Sequence, residues 1–236
     1  MKKRVIIISV SSVVFALAVF FTLYTANYSH ADSAALRAME SDGAVKVSKT
    51  DYGFFFDGPS NDNALIFYPG GKVEETAYAP LLHKLSLCGI DVCLVKMPLR
   101  FAFLGFNKAE KVINEYDYKH WYIGGHSLGG VFASYYASKN ADSLDGVILL
   151  ASYSVKKLDD GLNAVSVYGS EDNILSAEDY YENKINLPAG TREFVIEGAN
   201  HAQFGSYGLQ DGDGNASISA DEQADKTVEI IINSIN

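Results

Sequence analysis

The chain has 236 residues, 48% of them hydrophobic, and its 29 acidic against 19 basic side chains give a formal charge of −10. That length suits one α/β domain, and the apolar content excludes a disordered chain. The acidic balance argues against nucleic acid and anionic surfaces as partners. The two cysteines, Cys88 and Cys93, are too few for a disulfide framework or a zinc cluster, and both are expected as buried free thiols.

In chain order, Lys2, Lys3 and Arg4 precede Val5–Tyr24, an uncharged and mostly apolar run with no acidic residue before Asp32. As a helix it would span about 30 Å of hydrocarbon, longer than the usual core of a cleaved signal peptide, which favours a retained anchor. Ser29-His30-Ala31 also has the small-residue spacing of a signal-peptidase site, so secretion after cleavage stays open as an alternative. In either case the basic triplet stays in the cytoplasm and the rest is exported. The expected organisation is residues 1–31 as anchor or signal peptide and 32–236 as one catalytic domain.

Next come a short helix over Ala34–Glu40 and two strands, Val45–Ser48 and Gly53–Phe56, which read as a sheet edge before the turn cluster Asp57–Asn61. Apolar strand runs follow at Leu65–Tyr68, Val92–Lys96, Trp121–Gly124, Val147–Ala151, Ala164–Tyr168 and Glu193–Ile196. Helical stretches at Tyr78–Cys88, Asn107–Tyr116, Val131–Lys139 and Ala177–Tyr181 separate several of them, and Asp221–Ile235 carries apolar residues at helical spacing. Alternating strands and helices predict a mostly parallel sheet with helices on both faces.

Gly125-His126-Ser127-Leu128-Gly129 fits GxSxG, a string weak by itself in a chain with 20 glycines. Its context strengthens it: a short apolar strand runs straight into it and a helix rich in small residues follows. A serine on so sharp a strand-to-helix turn has strained backbone angles, and its neighbours two residues away must lack a Cβ. Ser127 is therefore the candidate nucleophile.

A serine hydroxyl needs a base, and the base needs an acid to orient it. His30, His83, His120 and His126 lie in the anchor flank, a helix, a strand approach and the elbow, whereas His201 lies in a loop after the strand Glu193–Ile196. Asp172 leaves the end of the strand Ala164–Tyr168 and is preferred to Glu171 as the acid. Asp159 and Asp160 precede that strand.

Leu128 N–H, at the start of a helix, suits one oxyanion donor. The loop Pro69-Gly70-Gly71-Lys72 offers the other, with Gly71 N–H first and Lys72 N–H second. The Phe-rich loop Arg100–Phe106, with Arg100, Phe101 and Phe103, and the side chain of Lys72 are substrate-binding candidates. An equal reading has the phenylalanines covering the sheet.

With serine, acid and histidine in that order on a β/α alternation, residues 65–236 resemble the α/β-hydrolase superfamily. The residues carrying this are Ile66-Phe67-Tyr68-Pro69-Gly70-Gly71-Lys72-Val73, Lys96-Met97-Pro98-Leu99, Gly124-Gly125-His126-Ser127-Leu128-Gly129-Gly130 and His201-Ala202-Gln203-Phe204-Gly205. They are similar to a bacterial exported or membrane-anchored subgroup, esterase-like or dienelactone-hydrolase-like, although dienelactone hydrolases carry a cysteine where Ser127 stands. The resemblance implies an eight-stranded α/β-hydrolase sheet and no metal or organic cofactor. The stretch Ser152–Asn163, where many relatives insert a lid, has room only for a loop.

These residues point to a serine hydrolase cleaving small or accessible carboxylic esters, with the membrane met through the N-terminal segment and no protein partner inferable. A binding protein without turnover and an acyltransferase with the same triad are the alternatives. A second motif, Asp211-Gly212-Asp213-Gly214-Asn215-Ala216 with Glu222 at the twelfth place, mimics a calcium loop but lacks glycine at the sixth place. The competing reading is a solvated loop.

Overall fold

The computed structural model describes residues 15, 19, 21, 22, 24–60 and 62–235. The apolar run Val5–Tyr24 therefore falls mostly outside the described residues. Among those described, no helix is long and apolar enough to cross a membrane.

Eight strands form one sheet: β1 (Lys46–Lys49), β2 (Gly53–Asp57), β3 (Asn63–Tyr68), β4 (Ile90–Val95), β5 (His120–His126), β6 (Gly146–Leu150), β7 (Asn163–Gly169) and β8 (Arg192–Ile196). Their order is β1-β2-β4-β3-β5-β6-β7-β8. The β1–β2 and β2–β4 pairs are antiparallel, and every later pair is parallel. The first two strands thus form the edge expected of them.

The central strands are apolar throughout because both faces are covered. Successive side chains alternate between faces. On β3, Leu65 and Phe67 join one core while Ala64, Ile66 and Tyr68 join the other. Ile148 and Leu150 on β6 divide from Val147 and Leu149 in the same way.

After α1 (Ser33–Ala38), the first face is covered by α2 (Ala79–Leu87), through Leu81, Leu82 and Leu85, and by the C-terminal helix Ala220–Ile235, through Ala224, Val228 and Ile231. The second face is covered by α3 (Lys108–Glu115) and α4 (Leu128–Ala137), through Ala109, Val112, Ala133, Tyr136 and Ala137. Helix α5 (Ala177–Asn183) completes the set before the C-terminal helix α6. Between β6 and β7 the chain runs as an irregular loop without a helix.

Sequence places α4 at Val131–Lys139, but it begins at Leu128, directly after the turn. Gly129 and Gly130, poor helix formers on propensity, are held in the first turn by tertiary contact. Cys93 is buried as expected, with burial pushing its thiol up to about 12. Cys88 is exposed, because it caps the C-terminal end of α2 beyond the residues that face the sheet. A thiol reagent should accordingly titrate one cysteine rapidly in the native protein and the second only after denaturation, and two fast thiols would contradict this packing.

Candidate active site

Strand β5 ends in His126, and the next residue turns the chain. Ser127 has φ 52° and ψ −126°, a backbone region that costs a non-glycine residue roughly 1–3 kcal/mol. The turn is held from both sides. Ser127 N–H donates to the Leu150 carbonyl at 2.9 Å, and the Ser127 carbonyl accepts from Val131 N–H at 3.2 Å and Ser152 Oγ at 2.8 Å.

The glycines around it are required by space. A Cβ on Gly129 would lie 2.1 Å from the Tyr68 carbonyl oxygen, one on Gly125 would lie 2.5 Å from the same atom, and one on Gly130 would meet Ser152 Oγ at 2.5 Å. The elbow is pressed against the carboxyl end of β3 and leaves no room for side chains.

His201 stands in the loop after β8, and its Nδ1 lies 2.9 and 3.1 Å from the two oxygens of Asp172, in the loop after β7. Both side chains are buried. Asp172 Oδ1 also accepts from Ile174 N–H at 2.9 Å and Leu175 N–H at 2.8 Å, which fixes the carboxylate. With Nδ1–H donated to Asp172, the lone pair of His201 is on Nε2. Ser127 and His201 line one cleft of about 210 Å³ with Leu128, Val131, Ala151, Ser152, Tyr153, Ile174, Leu175, Ser176 and Asp179.

Three of the other histidines are engaged elsewhere. His83 binds the Ala38 carbonyl and Asp42, His120 meets Asp145, and His30 meets Glu74. Glu171 is exposed and accepts from Ser170 Oγ.

In the loop after β3 three amides are used internally. Gly70 N–H donates to Tyr78 Oη at 2.9 Å, Lys72 N–H to the Arg100 carbonyl at 3.0 Å, and Val73 N–H to the Gly70 carbonyl at 3.4 Å. Gly71 N–H has no acceptor among the described residues, and neither has Leu128 N–H. The two residues touch, since a Cβ on Gly71 would sit 2.9 Å from Leu128 Cδ2.

Residues 64–225 match the model of the alpha/beta hydrolase family. The chain belongs to that family. No curated protein matches its sequence. Among solved structures it is similar to a hydrolase from Thermoplasma acidophilum described as CIB-like, at 18% identity and TM-score 0.58 over 80% of this chain and 99% of that one. An esterase from Mycobacterium tuberculosis (14% identity, TM-score 0.58, 84% and 94% of the two chains) and a monoacylglycerol lipase from Paleococcus ferrophilus (14%, 0.58, 80% and 99%) share the fold.

Against this α/β-hydrolase frame, Lys72, Arg100, Phe101 and Phe103 do not line the Ser127 cleft. They leave the expected strand ends but find other partners. Lys72 Nζ lies 4.3 Å from the Tyr24 ring centre, Arg100 stacks at 3.2 Å on Tyr28, and Phe101 stacks on Tyr24 and packs against Phe103. Phe103 in turn meets Phe132, a half-buried residue of α4 that packs against the second core.

Three residues at the site carry roles that the sequence reading did not assign. Tyr78 Oη accepts from Gly70 N–H and shares a hydrogen bond with His126 Nδ1 at 2.8 Å, so the glycine loop is tied to the residue before Ser127. Burial, with the facing His201 ring as the smaller cause, holds His126 well below the usual histidine range, and the ring stays neutral. Asp213, read above as a calcium-loop position, instead accepts from four backbone amides: Asn173, His201 and Gly214 at Oδ1, and Ala202 at Oδ2. Among the described residues no group of His, Cys, Asp or Glu is arranged to hold a metal.

Asp213 thus ties the loop of Asp172 to the loop of His201. Asp213→Ala should lower unfolding free energy by about 2 kcal/mol, the scale of charge-assisted hydrogen bonds lost at a half-buried acceptor. Urea denaturation measures this, and a change within experimental error would remove Asp213 as the bridge.

Proposed function

We propose that the chain is a serine hydrolase that cleaves small carboxylic esters through an acyl-enzyme on Ser127. The observation that carries this reading is the His201 Nδ1–Asp172 carboxylate pair at 2.9 Å, with His201 and Ser127 lining one cleft; Leu128 N–H and Gly71 N–H, both without internal acceptors, are the donors assigned to the oxyanion. Such donors aimed at a developing oxyanion are worth roughly 2.7–4 kcal/mol each.

In the reaction, His201 Nε2 takes the proton of Ser127 Oγ as the oxygen attacks the ester carbonyl. Negative charge gathers on the former carbonyl oxygen between Gly71 and Leu128. Collapse of the intermediate breaks the ester C–O bond, and the departing alcohol takes the proton from Nε2. Water then gives a proton to Nε2 and attacks the acyl carbonyl, and the acid leaves as Ser127 regains its hydrogen. Asp172 keeps the imidazole oriented and stabilises its charged form.

The cleft is smaller than the roughly 300–1,000 Å³ of drug-sized pockets. Val131, Ile174 and Leu175 give it an apolar side, and Ser152, Tyr153, Ser176 and Asp179 a polar one. A short acyl group suits it better than a fatty chain. The esterase and lipase among the similar structures accord with ester chemistry at the level of fold.

A panel of p-nitrophenyl esters should show turnover falling with acyl length, with acetate and butyrate ahead of octanoate. Ser127→Ala should abolish both turnover and fluorophosphonate labelling, and Asp172→Asn should cut kcat by about 10⁴-fold. A folded wild-type protein whose Ser127 resists fluorophosphonate would instead be a binding protein on this fold. Acyl transfer to added alcohols in preference to water would make it a transferase.

We also place the chain in the exported, membrane-anchored subgroup, with the catalytic domain outside the cytoplasm. Lys2-Lys3-Arg4 before the apolar run Val5–Tyr24 supports that orientation. External protease on intact cells should digest the domain, and its full protection would reverse the assignment.

A further inference from the structure

Residues 24–32, between the apolar run and the first helix, lie across the loops of the site. Ser29 N–H donates to the Lys72 carbonyl at 2.8 Å and Glu74 N–H donates to the Ser29 carbonyl at 2.8 Å, a parallel bridge between Ser29 and Val73. Ala31 N–H donates to the Glu74 carboxylate, and Asp32 N–H to the Ser206 carbonyl in the segment that follows His201. Tyr24 and Tyr28 receive the cations of Lys72 and Arg100 on their ring faces.

What this segment grips is strained. Lys72, Leu99 and Arg100 have φ of 57°, 51° and 61°, in the left-handed region that L side chains rarely adopt. Lys72 N–H donates to the Arg100 carbonyl, so the two loops hold each other. Arg100 Nε is buried without a hydrogen-bond acceptor among the described residues, and the guanidinium lies on the Tyr28 ring. Gly71, the donor assigned to the oxyanion, stands directly before Lys72.

We infer that Tyr24–Asp32 is a strap that positions the oxyanion loop, with Tyr28 and Ser29 as positioning residues, and that the working enzyme keeps its N-terminal segment. Cleavage after Ala31 would sever the bridge at Ser29 and both ring contacts from the domain. The anchor and the catalytic loop are then one device: the segment that leaves the membrane sets Gly71 N–H at the site. This rests on the ester-hydrolase reading above.

The test uses the full chain in detergent, as wild type, Tyr28→Ala, Ser29→Pro and Tyr28→Phe. Ser29→Pro removes the N–H given to Lys72, and Tyr28→Phe keeps the ring under Arg100. Tyr28→Ala and Ser29→Pro should lose roughly 10-fold to 100-fold in kcat, up to the lower end of what deleting an oxyanion donor costs, with KM little changed. Tyr28→Phe should match wild type, and protein isolated from its native membrane should have an intact mass that includes Tyr24.

Thermal melting reports the fold. Should Ser29→Pro melt early, Tyr28→Ala, which alters no backbone bond, decides. Undiminished kcat in Tyr28→Ala, or a fully active native chain that begins at Asp32, overturns the strap. Fluorophosphonate labelling of wild-type Ser127 separates the two ideas: a wild type that does not label refutes the hydrolase reading, whereas one that labels beside undiminished variants refutes the strap alone.

Discussion

The close approach of the elbow to the end of β3 is the contact on which the rest of the site depends. Backbone meets backbone there: Gly125 and Gly129 stand where any Cβ would overlap the Tyr68 or Pro69 carbonyls. That contact allows α4 to start at Leu128, which lines the cleft with Ser127. It also brings the loop after β3 against Leu128, where Gly71 lies close to the Leu128 side chain. A parallel sheet makes this possible because β3 and β5 are hydrogen-bonded neighbours, Tyr68 opposite Gly125, and both release their loops at the same edge.

Strain collects at that edge. The described non-glycine residues with positive φ are Lys72, Leu99, Arg100, Ser127 and Ala151, and all five follow the carboxyl ends of β3, β4, β5 or β6. Each such conformation persists only where its surroundings over-determine it. Ser127 is held by Leu150, Val131 and Ser152, and Ala151 by its N–H to the Val167 carbonyl at 2.7 Å. Lys72 and Arg100 are held by each other and by the strap. Stability built into the two cores is in effect applied at one rim, where reactive groups must be aimed rather than merely packed.

Most of the architecture was legible because burial on both faces writes β3, β4, β5 and β6 as short apolar runs, and the helices between them have their own period. The order of Ser127, Asp172 and His201 was legible for a related reason: each follows a strand whose carboxyl end can be read. What the sequence hid were contacts without period or proximity. Lys72, Arg100 and Phe101 leave the expected strand ends, yet their partners Tyr24 and Tyr28 lie more than forty residues away, at the end of the apolar run and just beyond it. The start of α4 was hidden because Gly129 and Gly130 are poor helix formers whose place is set by packing. Cys88 has an ordinary apolar context, and only its place beyond the last inward-facing turn exposes it.

Asp213 shows why a spacing pattern can mislead even when it selects an important residue. Alternating acidic and glycine positions satisfy a calcium loop on paper because calcium and backbone amides make the same demand, several oxygens within a tight turn. The amides of Asn173, His201, Ala202 and Gly214 meet that demand first, and a carboxylate already accepting four N–H bonds has little left to offer a cation. The loop after β8 thus has its rigidity from the chain itself. Rigidity there matters because His201 is in a loop rather than on a strand, and in the proposed mechanism a base that must meet Ser127 on one side and Asp172 on the other tolerates little drift. Asp172 and His201 hang from separate strands, and Asp213 ties their two loops together.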